Sequence, residues 1–584
     1  MKKLLRRISY LVLAVLVVCT FVGCSLFSSE QSKLATPEVV ISYEGVAVWG
    51  ENEYALYYVY VIDGGSEQFT NDCSVQLEEN QSIKVKAVSG SDEYADSDFS
   101  AVQTYVKSEK GEHTHTDVNS DGLCDKCGES VIKELSFYAI NDLHGKFMDT
   151  DTQPGVDEFT TYMKELYKDD KREEILLSSG DMWHGTVESS SNKGQLMCEW
   201  MNDVGFVSMT LGNHEYDWGA SVLTTNSKLA SFPFLAINVT YNGKAVDYCQ
   251  ASTIVERGGV KIGIIGAIGD CLSSISGDFT PGLKFATGSS LTALVKAESN
   301  RLREQENCDF IVYSIHDGGT GFSSSGINTV NKSKISHYYD TALSNGYVDL
   351  VFEGHTHQSY ILKDEYGVYH LQDGGENRSI SCAEVSFNTI SGSYTVNPKI
   401  IYPGVYADSS IEGDKVVEEI FNKYFPNNNP YTTVLGYNAY RKNSDEILSR
   451  VAKLYYDRGV KEWGSQYRIV LGGGYLNVRS PYQIDKGNVT YADIFSVLPF
   501  DNEIVLGQIN GANLKKQFLN NTNYTTYTTI RENEVIDSQN YYIIVDSYSS
   551  TYKWNYITEI KRLGSGTYSR DLLAEFVSSG GWAR

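Results

Sequence analysis

The sequence has no surplus of positive charge. It holds 49 lysines and arginines against 74 aspartates and glutamates, a formal net charge of −25 over 584 residues, and no local basic patch stands out. A chain of this charge repels phosphodiester backbones, which argues against a nucleic-acid polymer as a partner. A small phosphorylated ligand stays compatible with the composition, provided that bound cations reverse the local field.

The sequence also has no apolar run of about 20 residues, the length that a membrane-spanning helix needs. Its N-terminus is basic, continues with a short apolar stretch from Leu11 to Val18 and reaches Gly23-Cys24. This is the pattern of an export signal, and the small residue before Cys24 resembles the bacterial lipoprotein processing box. The resemblance implies a signal peptide over residues 1–24, a lipid on Cys24, a polar tether over 25–34 and an extracytoplasmic protein anchored to the cell membrane. Ordinary cleavage with Cys24 discarded is the alternative.

A disulfide framework is missing as well. The ten cysteines are scattered, and several stand beside apolar runs, such as Cys308 just before Phe310. Such cysteines are by default small buried hydrophobic residues.

Residues 35–107 alternate in the period of β-strands, with runs such as Tyr57 to Val61 divided by clusters of Gly, Asp, Asn and Ser. This pattern predicts a small antiparallel all-β sandwich. The order of the runs resembles a fibronectin type III module with Trp49 in its core. The resemblance implies either contact with the cell wall or a spacer between the membrane and the next domain, and we favour the spacer.

Residues 112–129 carry two overlapping metal-binding patterns. One matches the early positions of a calcium loop, but the closing glutamate is missing because its position is Gly128. The other is a set of two histidines and a C-x-x-C pair, which can close a tetrahedral zinc site. A solvated acidic linker that binds no metal is the third interpretation. The candidate ligands of the two patterns are His113, His115, Asp117, Asn119, Asp121, Cys124 and Cys127.

From Leu135 onward, apolar strands alternate with helical periodicity, which predicts a layered α/β domain. Five of these strands end in residue types that bind metals, each with a glycine close by. Because ligands bind at the carboxyl ends of strands in open α/β sheets, we expect a dinuclear metal site there. Carboxylate, amide and imidazole ligands without thiolate suit zinc, manganese or iron. The endings are Asp142 with His144, Asp181, Asn213 with His214, His316, and His355 with His357.

These five motifs, in this order, resemble the calcineurin-like metallophosphoesterases. The resemblance is closer to the 5′-nucleotidase family, which includes 2′,3′-cyclic nucleotide phosphodiesterases and UDP-sugar hydrolases. It implies a four-layer α/β sandwich over residues 133–404, in which one metal is held by Asp142, His144, Asp181 and His357. It also implies a second metal held by Asp181, Asn213, His316 and His355, so that Asp181 bridges the two.

The same resemblance makes His214 the catalytic histidine and Asp217 its carboxylate partner. Two cations lower the pKa of a bridging water, and the resulting hydroxide attacks phosphorus in line without a covalent intermediate. His214 then stabilises the developing charge or protonates the leaving oxygen, while Asp217 holds its tautomer. The family motif gives no role to His184, which we expect to support the site or to lie at the surface.

Residues 405–584 resemble the α+β C-terminal substrate domain of the same family. No Lys-Ser pair follows Gly472-Gly473-Gly474, which excludes a P-loop. The chain departs from the family pattern in two places, since Leu471 stands where an asparagine is usual and a later Gly-Gly-Asp-Gly segment is absent. The predicted substrate-binding residues are Gly473, Gly474, Arg479 and Tyr548.

The sequence therefore predicts a monomeric, metal-dependent phosphoric ester hydrolase that acts on nucleotides as a 5′-nucleotidase. A 2′,3′-cyclic nucleotide phosphodiesterase or a UDP-sugar hydrolase would use the same metal chemistry on another substrate. From a different class, the chain could be an inactive surface-binding protein, but the complete set of ligands argues against that.

Overall fold

The computed structural model describes most of the chain. The described residues are 31–107, 113–149, 154–168, 172–269, 271, 274–275, 280–330, 346–407, 411–426, 430, 432–474, 478–479, 481–520, 524–553, 556–564 and 567–583. The predicted signal peptide and Cys24 lie outside them. The chain divides into two compact units, Met1–Ile132 with Asn388–Ser393 and Lys133–Phe387 with Tyr394–Arg584.

The first unit is built from short β-strands. Along Ser82–Ser89 the alternate residues Ile83, Val85 and Ala87 are buried, and they pack in one core with Trp49. The prediction of a fibronectin type III module stays a prediction. A three-stranded sheet has the order Val40–Ile41, Val46–Val48, Ser74–Gln76, a four-stranded sheet has the order Gln68–Thr70, Ala55–Ile62, Ser82–Ser89, Gln103–Thr104, and Ser32–Lys33 pairs with Tyr94–Ala95.

Two large sheets form the centre of the second unit. The six-stranded sheet has the order Phe234–Leu235, Phe206–Thr210, Glu173–Ser178, Ile132–Ile140, Ile380–Asn388, Tyr394–Ile401. The seven-stranded sheet has the order Ser252–Arg257, Val260–Ile268, Phe310–His316, Leu350–Phe352, Tyr369–Gln372, Tyr360–Lys363, Ile327–Thr329. A small sheet joins Lys244–Ala245, Val239–Tyr241 and Leu283–Phe285.

The two-residue period of each strand builds four layers from these sheets. Phe137 packs into a core shared with Ile262 and Phe310 of the other sheet, so the sheets lie face to face. The next residue, Tyr138, points to the opposite side and packs in a cluster that contains helical residues such as Phe159. Helix Gly288–Glu304 covers the outer face of the seven-stranded sheet. The predicted four-layer α/β sandwich is therefore confirmed.

The C-terminal part of the same unit is an α+β structure, as predicted. Helix Ser444–Trp463 packs on a five-stranded sheet, and its start is fixed by a capping box in which the Asn443 side chain accepts from the Glu446 N–H. The sheet order is Thr525–Thr528, Ile469–Gly474, Asn540–Asp546, Ile504–Asn510, Thr558–Arg562, and two strand pairs join Val434–Asn438 with Gly487–Thr490 and Lys442–Asn443 with Gln483–Ile484.

The described residues also contain helices, which range from one turn to several turns in length. Tyr491–Val497 packs on Val187 and so brings the C-terminal part beside the four-layer part. Among the described residues, no helix is both long enough and apolar enough to cross a membrane. The α-helices of the described residues are Asp157–Leu166, Val187–Ser190, Gln195–Val204, Ala220–Leu229, Gly288–Glu304, Pro403–Tyr406, Lys415–Tyr424, Ser444–Trp463, Tyr491–Val497, Gly511–Leu514 and Ser569–Ser578.

Candidate active site

The predicted metal ligands all lie at the carboxyl ends of parallel strands. Ile132–Ile140, Glu173–Ser178 and Phe206–Thr210 are parallel neighbours in the six-stranded sheet, and Phe310–His316 and Leu350–Phe352 are parallel neighbours in the other. Because parallel strands end at the same edge of a sheet, the five following loops converge.

The side chains on these loops form two adjoining groups. In one, His357 Nε2 lies 3.0 Å from His144 Nε2 and 3.2 Å from Asp142 Oδ1. In the other, His316 Nε2 lies 3.1 Å from Asp181 Oδ2 and 3.2 Å from Asn213 Oδ1. The donor atoms of all these residues therefore point into one small volume.

His355, the last predicted ligand, and Cys271, which was not predicted, lie beside the second group. The His355 ring centroid is 5.3 Å from that of His316, and the buried thiol of Cys271 lies within 4.8 Å of a ring nitrogen of each. A carboxylate oxygen of Asp181 also lies within 4.8 Å of a ring nitrogen of His144, so Asp181 stands between the two groups.

Backbone strain concentrates at these positions. Fourteen non-glycine residues of the described chain have positive φ, and five of them are predicted ligands. A left-handed conformation costs such residues about 1 kcal/mol or more and persists where the surrounding fold imposes it, which is typical of functional sites. The five are Asp142, His144, Asp181, His355 and His357.

Hydrogen bonds outside the cluster fix the orientation of two histidine rings. His144 Nδ1 donates to the carbonyl of His184 at 2.8 Å, and His316 Nδ1 donates to the carbonyl of Ser179 at 2.7 Å. A carbonyl can only accept, so each ring carries its proton on Nδ1 in the neutral form. The Nε2 lone pairs therefore face the cluster, the arrangement found in metal-binding histidines.

Asp142 supplies the test of whether these residues fit a cation. Its Oδ2 accepts from the His355 N–H at 2.7 Å and from Asn141 Nδ2 at 2.6 Å, but its buried Oδ1 has no hydrogen-bond partner among the described residues. Burial raises the pKa of Asp142, yet the His357 and His316 rings outweigh it and hold the pKa well below its ordinary value. An ionised, buried oxygen that faces imidazole nitrogens, such as His357 Nε2 at 3.2 Å, is costly unless a positive charge lies beside it, so the donor set fits divalent metals.

The electrostatic field among the candidate ligands also favours a bound cation. Burial lowers the pKa of His316, but the neighbouring carboxylate of Asp181 outweighs it and raises the pKa to about 10. The pocket therefore attracts positive charge, although most ionisable groups that line it are buried histidines.

Glu215 is a buried structural residue that the sequence did not single out. Its Oε2 accepts from the N–H groups of Asp181 and Gly212 at 2.9 and 2.7 Å, and its Oε1 accepts from Met182 N–H at 2.8 Å. One carboxylate thus ties two strand ends together. Gly212 belongs to this junction, since a Cβ there would overlap Asp181 Oδ1. The only signal for Glu215 in the sequence was its position directly after Asn213 and His214.

His214 adjoins the two groups of candidate metal ligands, with a ring nitrogen within 4.8 Å of ligand atoms of His144 and Asp181, and it pairs with Asp217. His214 Nδ1 donates to Asp217 Oδ2 at 2.6 Å, and Asp217 Oδ2 also contacts His184 Nδ1. Burial raises the pKa of Asp217, but His214 and His184 outweigh it and lower the pKa to about 2. Burial lowers the pKa of His214, and Asp217 and Asp181 outweigh it and raise the pKa to about 9. The expected histidine–carboxylate pair is therefore formed.

His184 is buried, so the expectation of a surface position was wrong and that of a supporting position fits. Its Nε2 donates to the carbonyl of Pro499 at 3.2 Å, while its Nδ1 contacts Asp217. His184 therefore connects Asp217 to the C-terminal part of the chain. The sequence could not show the contact between His184 and Pro499, because the two residues are 315 positions apart.

A cleft opens beside His214 and is closed on one side by the C-terminal part. Phe500 stacks over the His214 ring with centroids 6.0 Å apart and planes 25° apart, and the Arg479 guanidinium lies 5.5 Å from the Phe500 ring centre. His144, Lys146 and Glu376 line the remaining wall. The cleft thus combines the predicted catalytic histidine, an aromatic face and cationic side chains.

Comparisons with known proteins agree with this geometry. Residues 135–359 match the family of calcineurin-like phosphoesterases, and residues 470–543 match the 5′-nucleotidase C-terminal domain. The chain therefore contains a calcineurin-like phosphoesterase domain followed by a 5′-nucleotidase C-terminal domain. The predicted family and the prediction of a hydrolase are confirmed.

Individual relatives of this family are distant but extensive matches. An apyrase of Tabanus yao is 28% identical over 66% of this chain and 72% of its own length, and a 5′-nucleotidase of Vibrio cholerae is 23% identical over 65% and 74%. A putative 5′-nucleotidase structure from Staphylococcus aureus aligns with a TM-score of 0.58 at 16% identity, covering 77% of this chain and 98% of its own. This structural likeness concerns the fold.

The family's C-terminal substrate residues are less clearly matched. Arg479 reaches the cleft, whereas Gly473 and Gly474 lie in the strand Ile469–Gly474, paired with Thr526 and Thr525. Tyr548 is half-buried beyond the end of strand Asn540–Asp546. Of the four predicted substrate residues, the structure therefore brings only Arg479 to the wall around His214. Phe500 also reaches this wall but was not among the predicted residues, because an aromatic residue in a loop looks ordinary in sequence.

The candidate ligands of residues 112–129 separate into two kinds. The side chains of His113, His115, Cys124 and Cys127 converge, with ligand atoms all within 4.8 Å of one another. The carboxylates instead bind backbone, since Asp117 Oδ1 and Oδ2 accept from the N–H groups of Asp121 and Gly122 at 3.0 and 3.1 Å. Asn119 Nδ2 donates to Asp121 Oδ2 at 2.9 Å.

Proposed function

We propose that the protein is a two-metal phosphatase of nucleotides, a 5′-nucleotidase. The observation that carries the proposal is the buried Asp142 Oδ1, which accepts no hydrogen bond from the described residues and faces the Nε2 atoms of His357 and His316 at 3.2 and 4.0 Å. In the proposal Asp142, His144, Asp181 and His357 hold one cation. Asp181, Asn213, His316 and His355 hold the other.

When bound, two divalent cations supply Lewis-acid charge for the phosphoryl oxygens and lower the pKa of a water molecule. The residues of the chain prepare that site. The histidine Nε2 atoms are aimed by their Nδ1 hydrogen bonds, and Asp181 stands between the two groups. Zinc, manganese and iron all suit this donor set.

His214 handles the proton in this proposal. Its Nδ1–H is held by Asp217, and its Nε2 has no hydrogen-bond partner among the described residues. Because the ring lines the cleft, Nε2 can deliver a proton to the leaving oxygen or stabilise the charge that develops on it. Asp217 orients the ring and favours its protonated form.

Arg479 and Phe500 give the site its preference for a nucleotide. A guanidinium matches the oxygens of a phosphate, and an aromatic face suits a nucleobase. Both side chains lie on the C-terminal wall of the cleft, next to His214. Gly473, Gly474 and Tyr548 remain further candidates for the rest of the substrate.

We also propose that the enzyme acts outside the cytoplasm, as a monomer attached to the membrane through a lipid on Cys24. The basic and apolar N-terminus followed by Gly23-Cys24 supports this proposal. Growth with labelled fatty acid should label the wild-type protein and not Cys24→Ala. Equal labelling of the two would exclude the lipid on Cys24.

A substrate panel tests the proposed function. Purified protein should release phosphate from nucleoside 5′-monophosphates faster than from 2′,3′-cyclic nucleotides, UDP-sugars or simple phosphate esters. Faster cleavage of a cyclic nucleotide or a UDP-sugar would keep the mechanism and replace the substrate. Absence of cleavage of every ester in the panel, with metals supplied, would refute the proposal of an enzyme.

A further inference from the structure

The side chains of His113, His115, Cys124 and Cys127 form a compact cluster in the first unit. His113 Nε2 lies 3.3 Å from Cys124 Sγ, and His115 Nδ1 lies 3.7 Å from Cys127 Sγ. All four ligand atoms lie within 4.8 Å of one another. Four donor atoms this close together can bind one metal ion.

Local backbone geometry explains why the two cysteines meet. Gly128 has a φ of +75° and donates its N–H to the Cys124 carbonyl at 2.8 Å, which turns the chain back directly after Cys127. The Cys124 N–H donates to the Glu129 carbonyl at 2.8 Å. A C-x-x-C segment closed in this way presents both sulfur atoms on one side.

Apolar residues pack around the two cysteines, and Tyr43 orients the half-buried His113 ring, while His115 is exposed. Cys124 and Cys127 are buried and pack with Val131 and Tyr43. Tyr43 OH lies 3.4 Å from His113 Nδ1, which leaves His113 Nε2 directed to Cys124. Tyr43 N–H also donates to the Lys126 carbonyl at 2.8 Å, so the turn is fastened to the strand-rich part of the same unit.

We propose that His113, His115, Cys124 and Cys127 bind a structural zinc ion. Two thiolates and two imidazoles are a complete tetrahedral set for zinc, and they leave no position open for a substrate or a water molecule. The ion would therefore stabilise the fold of this segment. It is separate from the proposed phosphatase site, to which none of these four residues belongs.

Calcium fits the same segment less well. Calcium needs six to eight oxygen ligands, whereas both carboxylate oxygens of Asp117 already accept backbone N–H groups. Asp125 likewise accepts from the Val118 N–H with both oxygens, at 3.2 and 3.0 Å. The acidic side chains of the loop thus shape its turns, while the sulfur and nitrogen atoms converge.

Zinc analysis of the full-length protein tests the proposal. After mild chelation that empties the phosphatase site, the wild type should retain one zinc per chain, and Cys124→Ser/Cys127→Ser should retain none. Cys73→Ser, a half-buried cysteine in the same unit, is the matched control and should keep its zinc. After metals are restored, the double variant should release phosphate at the wild-type rate, because it alters no residue of the phosphatase site. Equal zinc in the wild type and the double variant would overturn the proposal.

Two further measurements do not depend on the double variant folding. Cobalt added to the zinc-free wild type should produce a thiolate-to-cobalt charge-transfer band, and absence of the band would overturn the proposal. Intact mass without reduction should match free thiols at Cys124 and Cys127, whereas a disulfide between them would exclude zinc binding. The double variant Asp117→Asn/Asp121→Asn should keep its zinc. If this variant lost the zinc and the wild type bound calcium, the segment would be a calcium loop and the proposal would be overturned.

Discussion

At the scale of single residues, two side chains that are adjacent in sequence have different roles in the site. Asn213 faces His316, whereas the next residue, His214, turns its ring to Asp217 and the cleft. The separation depends on the tight turn that follows strand Phe206–Thr210, in which the His214 N–H donates to Asp181 Oδ1 at 2.8 Å. Adjacent substitutions should therefore have different consequences.

His214→Ala should slow turnover by about 10²- to 10⁴-fold, the usual contribution of a general acid, while both metals stay bound. Asn213→Ala should instead lower the affinity for one of the two metals. Steady-state kinetics together with metal analysis of both variants measures the difference. Loss of both ions from His214→Ala would contradict the assignment of His214.

His184 should act by positioning other groups, because it holds Asp217 with one ring nitrogen and the Pro499 carbonyl with the other. His184→Ala should lower kcat less than His214→Ala does, and it should raise KM because the C-terminal wall of the cleft loosens. It should also reduce the free energy of unfolding by about 1–3 kcal/mol, since two buried groups lose a partner. Unchanged KM and unfolding midpoint would contradict this role.

At the scale of elements, strand periodicity and strand endings made the four-layer part and the converging loops predictable. The continuous burial of the apolar run that ends strand Ile132–Ile140 follows from a local property of the sequence. The positions of Phe500, Glu215 and Cys271 were not predictable in this way, because each acts through contacts between distant segments. An aromatic residue in a loop, a buried glutamate and a small hydrophobic cysteine look ordinary in sequence.

Gly212→Ala should disturb the metal site without altering any donor atom. A Cβ at Gly212 would overlap Asp181 Oδ1, and Glu215 prevents the backbone from moving away. We expect weaker metal binding and at least a tenfold loss of activity, equivalent to about 1.4 kcal/mol. Gly404→Ala is the matched control, since a Cβ at Gly404 meets nothing within 4 Å. Wild-type activity of Gly212→Ala would contradict the close packing.

Arg570 should control how the Pro499–Asp501 loop presents Phe500. Its Nη1 donates to the carbonyls of Pro499 and Phe500 at 3.0 and 2.9 Å, and its Nη2 contacts the Asp501 carboxylate. Lysine lacks this fork of donors, so Arg570→Lys should raise KM for nucleotides about tenfold, with a smaller effect on kcat. Arg562→Lys, at a more exposed ion pair, should change neither. An unaltered KM in Arg570→Lys would separate Phe500 from substrate binding.

At the scale of the whole molecule, composition and motif order indicated the family and the sequence of its parts. A net charge of −25 and a site for phosphate esters are compatible only if positive charge is concentrated locally. The cluster around Asp142 and Asp181, with Arg479 and Lys146 in the cleft, provides such a place for cations and anions together. How the C-terminal part closes over this cleft depends on packing between distant segments, which the sequence pattern does not encode.

The most direct test of the central claim is phosphate release from a nucleoside 5′-monophosphate during removal and return of metal. Activity should fall to background when a strong chelator removes the ions, and it should return as zinc, manganese or iron fills both groups of ligands. Asp142→Asn, measured in parallel, should stay inactive after the metal is returned. Undiminished phosphate release by the metal-free protein would contradict a two-metal site built from these strand ends.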